Sequence, residues 1–232
     1  MSKVATNMKS VYELFIAETE KLAPDVDMLE SLIDRLPKED IYKITKLKLY
    51  NKKLYKLPDN IDNLANLQNF FCSHNQISKI PESIGNLTNL QLFSSNNNKI
   101  SVLPDSIGNL VNLKYFDCHY NKINILPDNI GNLINLQDFS CSNNKISKIP
   151  NSIGNLTNLQ RFSCSDNQIS EIPESVSNLT NLHILWIKNN QISKLPDSIS
   201  NLTNLQRLWI HNNQISEIPK WLNDMNIPDM IT

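Results

Sequence analysis

The residue types in this chain that could carry chemistry begin with four cysteines, Cys72, Cys118, Cys141 and Cys164. Zinc sites use closely spaced pairs of ligands, and a disulfide needs Cα atoms within about 7 Å of each other. These cysteines are instead separated by one or two periods of a repeat, so they fall at one inward position of successive units. We interpret them as buried free thiols, which favours a reducing compartment and predicts neither a metal site nor a cofactor.

The histidines and carboxylates form no recognisable catalytic arrangement. The four histidines fall on different units of the repeat; they are His74, His119, His183 and His211. His119 and His211, the two expected to be exposed, are four units apart, which is roughly 20 Å at the strand spacing of a sheet. Asp117 and Asp138 could be neighbours, but an open surface lacks the burial that tunes an acid and a base. No serine has an evident histidine partner, so we predict that the protein is not an enzyme and has no catalytic residue.

The stretch that positions all of these residues is 136–146, which returns every 23 positions. Further copies occupy 67–77, 90–100, 113–123, 159–169, 182–192 and 205–215, with a degenerate copy at 44–54. The alternation around Phe139 predicts a short strand with one buried face, and Pro150 suits the first residue of a helical or 3-10 turn. Neither element can bury its apolar face alone, so the units must stack. The sequence predicts an α/β solenoid, an arc with one parallel sheet.

The repeat also predicts the interior. One column holds Phe70, Phe93, Phe116, Phe139 and Phe162 and then two leucines. A column of asparagines just past each strand should satisfy buried backbone groups of the tight turn. The four glycines share a position after the convex turn, where a left-handed residue would end that turn. Asp62, Ser177 and Ser200 take the same position in other units, so glycine is not obligatory there.

The two ends depart from the repeat. Residues 1–43 are predicted to be an N-terminal cap of two helices, separated at Pro24, that covers the open core; the alternative is that one of them is an amphipathic docking helix. The solenoid is assigned to 44–218. Residues 219–232 are predicted to be a C-terminal cap in which Trp221, Ile227 and Met230 fold back over the last coil, with the chain stopping before another strand. An uncovered end would invite dimerisation.

Composition excludes several partners and compartments. The formal net charge is −1, which argues against a nucleic-acid surface. No stretch approaches 18 apolar residues, and neither a signal peptide nor a lipidation motif is evident, so we expect no membrane contact and a cytoplasmic, intracellular protein. The recurring Asn-Leu-Thr triplets, as at Asn155, are interpreted as part of the repeat rather than as glycosylation sites.

The order apolar-x-x-apolar-x-apolar-x-x-Asn-x-apolar across 44–218 resembles the leucine-rich repeat family. The Leu-Pro-x-x-Ile-x-x-Leu-x-x-Leu order from Leu126 to Leu136 is similar to the typical intracellular class, found in scaffolds that act with Ras-type small GTPases. The resemblance implies a horseshoe with its sheet on the concave face and makes a small GTPase one candidate partner. The heavy use of Asn, Ile and Lys resembles proteins of low-GC protists or of giant viruses that infect amoebae, which would place the protein in a host cytoplasm.

The bulky residues expected on the concave face cluster in two places. What we call the tryptophan patch comprises Arg161, Ile184, Trp186, Lys188, Arg207, Trp209 and His211, and the N-terminal aromatic patch comprises Phe71, Tyr115, His119 and Tyr120. Tryptophan beside arginine is the composition of a binding hot spot, so we predict that both patches bind a partner. The alternative is that the aromatic rings stack on one another or are covered by the termini of the chain.

The sequence therefore favours a non-catalytic scaffold or interaction module that binds a protein partner on its concave face. A second reading is a self-associating structural protein, which leaves the choice between a monomer and a weak homodimer open. An enzyme is a remote third. A concentration-dependent mass would favour self-association, whereas a monomer that captures one partner would favour the module.

Overall fold

The repeat folds into the predicted solenoid. A computed structural model describes residues 10–232, and in it nine parallel strands form one sheet in chain order. The strands are β1 (Lys46–Lys48), β2 (Asn69–Phe71), β3 (Leu92–Ser94), β4 (Tyr115–Asp117), β5 (Asp138–Ser140), β6 (Arg161–Ser163), β7 (Ile184–Trp186), β8 (Arg207–Trp209) and β9 (Asp229–Ile231). Phe116 pairs with Phe139, one repeat period further along the chain. We call each strand with its return loop a coil.

The convex side is built from short 3-10 turns, as the proline spacing predicts. They span Ile61–Asn63, Glu82–Asn86, Asp105–Asn109, Asp128–Asn132, Asn151–Asn155, Glu174–Asn178 and Asp197–Asn201. Pro150 lies one position earlier than predicted, at the residue before the turn, with an extended backbone (φ −69°, ψ 150°). Its fixed φ sets the direction in which the chain enters the turn, and its carbonyl accepts a hydrogen bond from Ile153 N (3.1 Å).

The interior is a stacked column of phenylalanine rings. Rings on successive coils lie with centroids 5.5–5.6 Å apart and nearly parallel, from Phe70 to Phe162. The small residue beside each ring is a cysteine or Ser95, and all four cysteines are free and buried. This confirms the predicted free thiols. A large residue beside a small one fills each layer without leaving a void.

The turn after each strand uses a left-handed residue, and this residue is not glycine. None of the four glycines has a positive φ. In coils one to eight the positive φ, between 51° and 56°, falls on the residue just before the asparagine that follows each strand, which we call the ladder asparagine and which is Lys52 in coil one. The prediction of left-handed glycines was therefore wrong. A Cβ on Gly131 would lie 2.4 Å from the carbonyl oxygen of Ser152 in the next coil, so glycine serves the close approach of neighbouring 3-10 turns.

In the described part of the chain, three helices precede the sheet: α1 (Val11–Glu20), α2 (Val26–Arg35) and α3 (Lys38–Ile41). Phe15 on α1 and Leu29 on α2 are 1% exposed and belong to the same core as the coils. Lys52, which stands where later coils have the ladder asparagine, donates from Nζ to the carbonyl of Glu20 at the end of α1 (2.7 Å). The buried residues of both helices therefore share the core of the coils, whereas Leu14 on α1 and Met28 on α2 remain 40% and 47% exposed. The predicted cap starts at residue 1, and residues 1–9 lie outside the described part of the chain.

The C-terminal end differs from its prediction. After α4 (Lys220–Asp224), Asp229–Ile231 adds the ninth strand beside β8, with Ile231 paired to Trp209. The expectation that the chain stops before another strand was wrong, because a shorter loop with α4 in place of the 3-10 turn returns the chain in 22 rather than 23 residues. Leu222 and Ile227 are buried under this last coil, while Trp221 and Met230 are half-buried against it.

Candidate functional site

The strand register sets which side chains meet on the concave face. The first and third residues of each strand point outward, while the middle residue, such as Leu185, is buried. The pairing places Trp186 directly beside Trp209 and Ile184 directly beside Arg207. The tryptophan patch is therefore formed by two neighbouring strands, β7 and β8, with Arg161 contributed by β6.

The two tryptophans form a stacked pair. Their ring centroids lie 4.8 Å apart with 17° between the planes, and Lys188 Nζ lies 5.4 Å from the centroid of the Trp209 ring. Both rings remain half-buried rather than covered. An offset aromatic pair with a cation above it is rigid and partly desolvated before any partner arrives.

The end of the chain contributes to this patch. Trp209 Nε1 donates to Asp229 Oδ1 (3.3 Å), and Asp229 Oδ2 lies 3.6 Å from Arg207 Nε. The alternative that the rings stack on one another or are covered by the chain termini holds in part, since the two rings stack and β9 lies beside Trp209. The exposed part of both rings still faces the open side of the sheet. Their proposed role in binding stays a prediction.

A polar groove runs across the strands beside the tryptophans. It encloses about 560 Å³ and is lined by Tyr115, Gln137, Asp138, Gln160, Arg161, His183, Ile184, Gln206 and Arg207. Arg161 binds Asp138 across the strands (3.0 Å). The pKa of the Asp138 carboxyl is raised, chiefly by burial and to a smaller extent by the charge of Asp117. The neighbouring Arg161 opposes this rise without cancelling it. Sequence analysis considered Asp138 only as a possible neighbour of Asp117 and assigned neither it nor the glutamines to the binding surface. The glutamines had one signal, their recurrence just before several strands.

The groove joins residues that sequence analysis assigned to different patches. Tyr115 is 47% exposed and lies in the groove with Arg161, Ile184 and Arg207. Phe71 lies two strands away from Tyr115, roughly 10 Å at the strand spacing of a sheet, under the Nζ of Lys46 (5.4 Å to the ring centroid). The N-terminal aromatic patch is therefore not one cluster, because the strand register places Phe71 and Tyr115 two strands apart.

His119 and Tyr120 do meet. Their ring centroids are 5.2 Å apart in an edge-to-face arrangement, and His119 Nδ1 is hydrogen-bonded to Asp117 Oδ1. Asp117 also accepts from Asn96 Nδ2 (2.6 Å). A histidine oriented by a carboxylate is two thirds of a hydrolytic triad. Among the described hydrogen bonds, however, no hydroxyl or thiol is paired with the other nitrogen of His119.

Metal and membrane features are missing from the described residues. No group of three or more His, Cys, Asp or Glu side chains within 10–232 is placed to hold a metal ion. None of the helices in that range has both the length and the apolar character needed to cross a bilayer.

Comparisons with known proteins agree with this geometry. Models described as leucine-rich repeats match residues 66–87, 112–133 and, in three overlapping matches, 134–223, together more than half of the chain. No curated protein sequence matches the chain. Among solved structures, internalin C2 of Listeria monocytogenes is 26% identical with a TM-score of 0.76, and the alignment covers 84% of each chain.

Other similar structures belong to longer proteins. A Leptospira interrogans leucine-rich repeat protein is 28% identical with a TM-score of 0.64, covering 85% of this chain and 57% of that one. The plant peptide hormone receptor RGFR1, described in complex with RGF2, is 32% identical with a TM-score of 0.71, covering 76% of this chain and 29% of the receptor. The chain thus spans little more than half, or less, of these two relatives.

Proposed function

We propose, because this chain belongs to the leucine-rich repeat family, that it is a non-catalytic module that holds a protein partner on its concave face. The observation that carries the proposal is the stacked pair of Trp186 and Trp209, which stays half-exposed with Lys188 above it. Hot spots are rich in tryptophan and arginine and are rigid before binding. Similar proteins support a protein or peptide as the partner class, since RGFR1 is described in complex with RGF2 and the Arabidopsis receptor kinase HAESA with the peptide hormone IDA.

The finer parts of the proposal concern the partner and the compartment. A Ras-type small GTPase is the folded partner that the intracellular class of repeats suggests, and it is the first candidate to test by direct titration. Four buried thiols without a disulfide are suited to a reducing, intracellular compartment.

The proposal predicts that Trp186→Ala with Trp209→Ala abolishes capture of the partner from a lysate of the native cell. Truncating a hot-spot residue costs about 2 kcal/mol or more, which is roughly a thirtyfold loss of affinity for each residue. The measurement is affinity capture by wild type and variant side by side, with retained proteins identified by mass spectrometry and titrated individually.

The matched control is Thr157→Ala with Thr180→Ala, which changes two exposed residues on the return side of the coils. Circular dichroism should show the same fold for all three proteins. A partner retained equally by the wild type and the tryptophan variant would contradict the site.

Self-association is a second candidate, favoured by the two free edges of the sheet. Within residues 10–232, β1 and β9 each pair with a single strand, and Ile231 at the C-terminal edge is 43% exposed. An unpaired strand edge is a template for another chain. Sedimentation at increasing protein concentration tests this: a constant monomer mass removes the candidate, whereas a rising mass supports it.

A further inference from the structure

Two coils carry residues on a second surface that differ from those of the other coils at the same repeat position. We call it the lateral face: the exposed residues between the end of each strand and the following 3-10 turn. One position of this face lies five residues before the buried isoleucine or valine of the following turn, or before Leu222 of α4 in coil eight. It is charged in coils one, two and five to eight, where it is Lys56, Lys79, Lys148, Glu171, Lys194 and Glu217. In coils three and four it is Val102 and Ile125, which are 59% and 65% exposed.

A third departure lies on the same face of coil four, at Tyr120. Sequence analysis placed this residue on the concave face, but β4 ends at Asp117, so Tyr120 lies past the strand and off the sheet. The left-handed position after the strand is occupied by asparagine or aspartate in six of the eight coils, and these residues tolerate that backbone best. Tyr120 adopts it with φ 51° and remains 53% exposed. An aromatic residue kept in an unfavourable backbone conformation without being buried is more easily explained by a contact outside the chain than by folding.

Lysines surround these three residues. Lys99, Lys122 and Lys145 follow the ladder asparagines of three successive coils, and Lys79 and Lys148 flank Val102 and Ile125 in their own column. Parallel pairing of β3, β4 and β5 places successive coils about 4.8 Å apart. All five lysines are exposed, and none lies within 4.0 Å of a described carboxylate. Like charges repel at this spacing, so the row is costly unless something neutralises it.

The border of the face narrows the choice of partner. Glu82, Asp105 and Asp128 begin the neighbouring 3-10 turns. A hollow of about 560 Å³ beside Ile125 is lined by Leu126, Lys148 and Pro150 as well as Asp128. A continuous polyanion such as RNA would meet this acidic row and would gain nothing from the aliphatic centre. A peptide with spaced carboxylates can avoid the acidic row and place an apolar side chain on the aliphatic centre.

We propose that the lateral face of coils two to five is a second interaction surface, which binds an acidic protein segment that carries an apolar side chain. The apolar residue seats in the hollow beside Ile125, next to Val102 of the previous coil, and its acidic neighbours pair with the lysine row. An apolar centre with a charged rim is the usual anatomy of an interface. The surface is distinct from the concave tryptophan patch, so one chain can hold two partners.

The test uses a random twelve-residue peptide display library as the probe and the full chain as bait. The comparison baits replace each departure with the residue that other coils carry at that position. One is Val102→Lys with Ile125→Lys and Tyr120→Asn. The other is Lys99→Gln with Lys122→Gln and Lys145→Gln, since Gln76 and Gln168 stand in that column. Because the repeat itself supplies these residues, both variants are expected to fold, which thermal unfolding checks.

We expect the wild type to enrich peptides with several Asp or Glu residues around a Leu, Ile or Phe. A synthetic copy of the most enriched peptide should bind either variant at least tenfold more weakly, whereas Trp186→Ala with Trp209→Ala should leave its affinity unchanged. The proposal is overturned if no acidic and apolar peptide is enriched, or if both variants bind it as the wild type does. It also fails if a twelve-nucleotide uridine RNA or phosphatidylserine vesicles bind as tightly as the peptide.

Discussion

Asn144 connects three stretches of backbone with a single side chain. Its Nδ2 donates to the carbonyls of Cys141 (3.0 Å) and Ser142 (3.1 Å) in its own coil and of Cys118 (3.1 Å) in the previous coil. Its Oδ1 accepts from Ile123 N (2.9 Å). The same pattern recurs along the column, which confirms the structural role predicted for the asparagines. The amide is the one side chain of this size that offers both donors and an acceptor here.

Asn144→Ala should therefore lower the free energy of unfolding by about 3 kcal/mol. The change leaves the Ile123 N–H without a partner, which costs about 1–3 kcal/mol at a buried site. It also removes one hydrogen bond from each of three carbonyls, worth about 0.5–1.5 kcal/mol each, although these carbonyls keep bonds from Asn121, Asn167 and Tyr120. Urea unfolding followed by circular dichroism measures the loss.

The matched control is Asn158→Ala. Its Nδ2 also bonds a carbonyl of the previous coil, Ile134 O (2.8 Å), but at an exposed site where water can replace it. We expect less than about 1 kcal/mol there. Equal losses for the two variants would show that the ladder does not depend on burial.

Burial both packs the cysteine side chains into the core and keeps their thiols protonated. Burial raises the pKa of the Cys118 and Cys141 thiols well above their ordinary value. In the unfolded chain a cysteine ionises near pH 8.5. The folded state thus keeps protons that the unfolded state releases. Stability from this source is complete below the unfolded pKa and declines as pH rises above it towards the folded pKa.

Cys141→Ala should make the pH dependence of stability shallower above about pH 9, by about 1.4 kcal/mol per pH unit for the one thiol removed. Lysine and tyrosine titrations are common to both proteins and cancel in the comparison. The measurement is urea unfolding from pH 8 to 10.5 under reducing conditions. Parallel curves for wild type and variant would contradict the assignment.

At the scale of elements, neighbouring 3-10 turns approach each other closely at the glycine positions. A Cβ added to Gly131 would meet Ser152 O at 2.4 Å and Ser152 Cβ at 2.6 Å in the next turn. This approach is against the backbone, so it cannot be relieved by a side-chain rotation. In coils six and seven the position holds Ser177 and Ser200, whose hydroxyls donate to carbonyls of their own turns, at 2.7 Å each.

Gly131→Ala should cost about 1–3 kcal/mol, as other overpacked sites do, and lower the thermal midpoint by several degrees. Ser177→Ala is the matched control, since that coil already holds a Cβ at this position, and it should change stability by less than about 1 kcal/mol. If Gly131→Ala were as neutral as Ser177→Ala, the turns would not depend on their close approach.

At the scale of the whole molecule, stability depends on closing both ends of one continuous core. The core includes Phe15 and Leu29 of α1 and α2 at one end and Leu222 of α4 at the other, and we predict that these elements act as caps. In a stacked repeat each coil contacts only its neighbours, so an exposed end is a local weakness that the rest of the array cannot compensate.

Deleting 226–232 should lower the free energy of unfolding and promote association. It removes β9 and leaves β8, which contains Trp209, as the unpaired edge of the sheet. Urea unfolding and sedimentation at several concentrations measure the two effects. Deleting Thr232 alone, which is exposed and outside β9, is the control. A shortened chain as stable and as monomeric as the control would show that β9 does not close the array.

The sequence by itself determined the solenoid, the strand and turn of each coil, the phenylalanine and cysteine columns and the asparagine ladder. These follow from a strict period, because one coil cannot bury its apolar residues without the next. It also placed Trp186 beside Trp209, because residues one repeat period apart pair with each other in neighbouring parallel strands.

Only the tertiary structure decided the features that depend on distances between coils. It showed that glycine is needed for close approach rather than for a left-handed backbone, that β9 forms after a loop one residue shorter, and that Tyr115 joins the arginine groove while Phe71 does not. A repeat pattern gives the column and the coil of a residue, but the exposure of Val102, Ile125 and Tyr120 on one lateral face emerges only when the coils are stacked. Contacts across coils depend on the path of the whole backbone, which no single repeat contains.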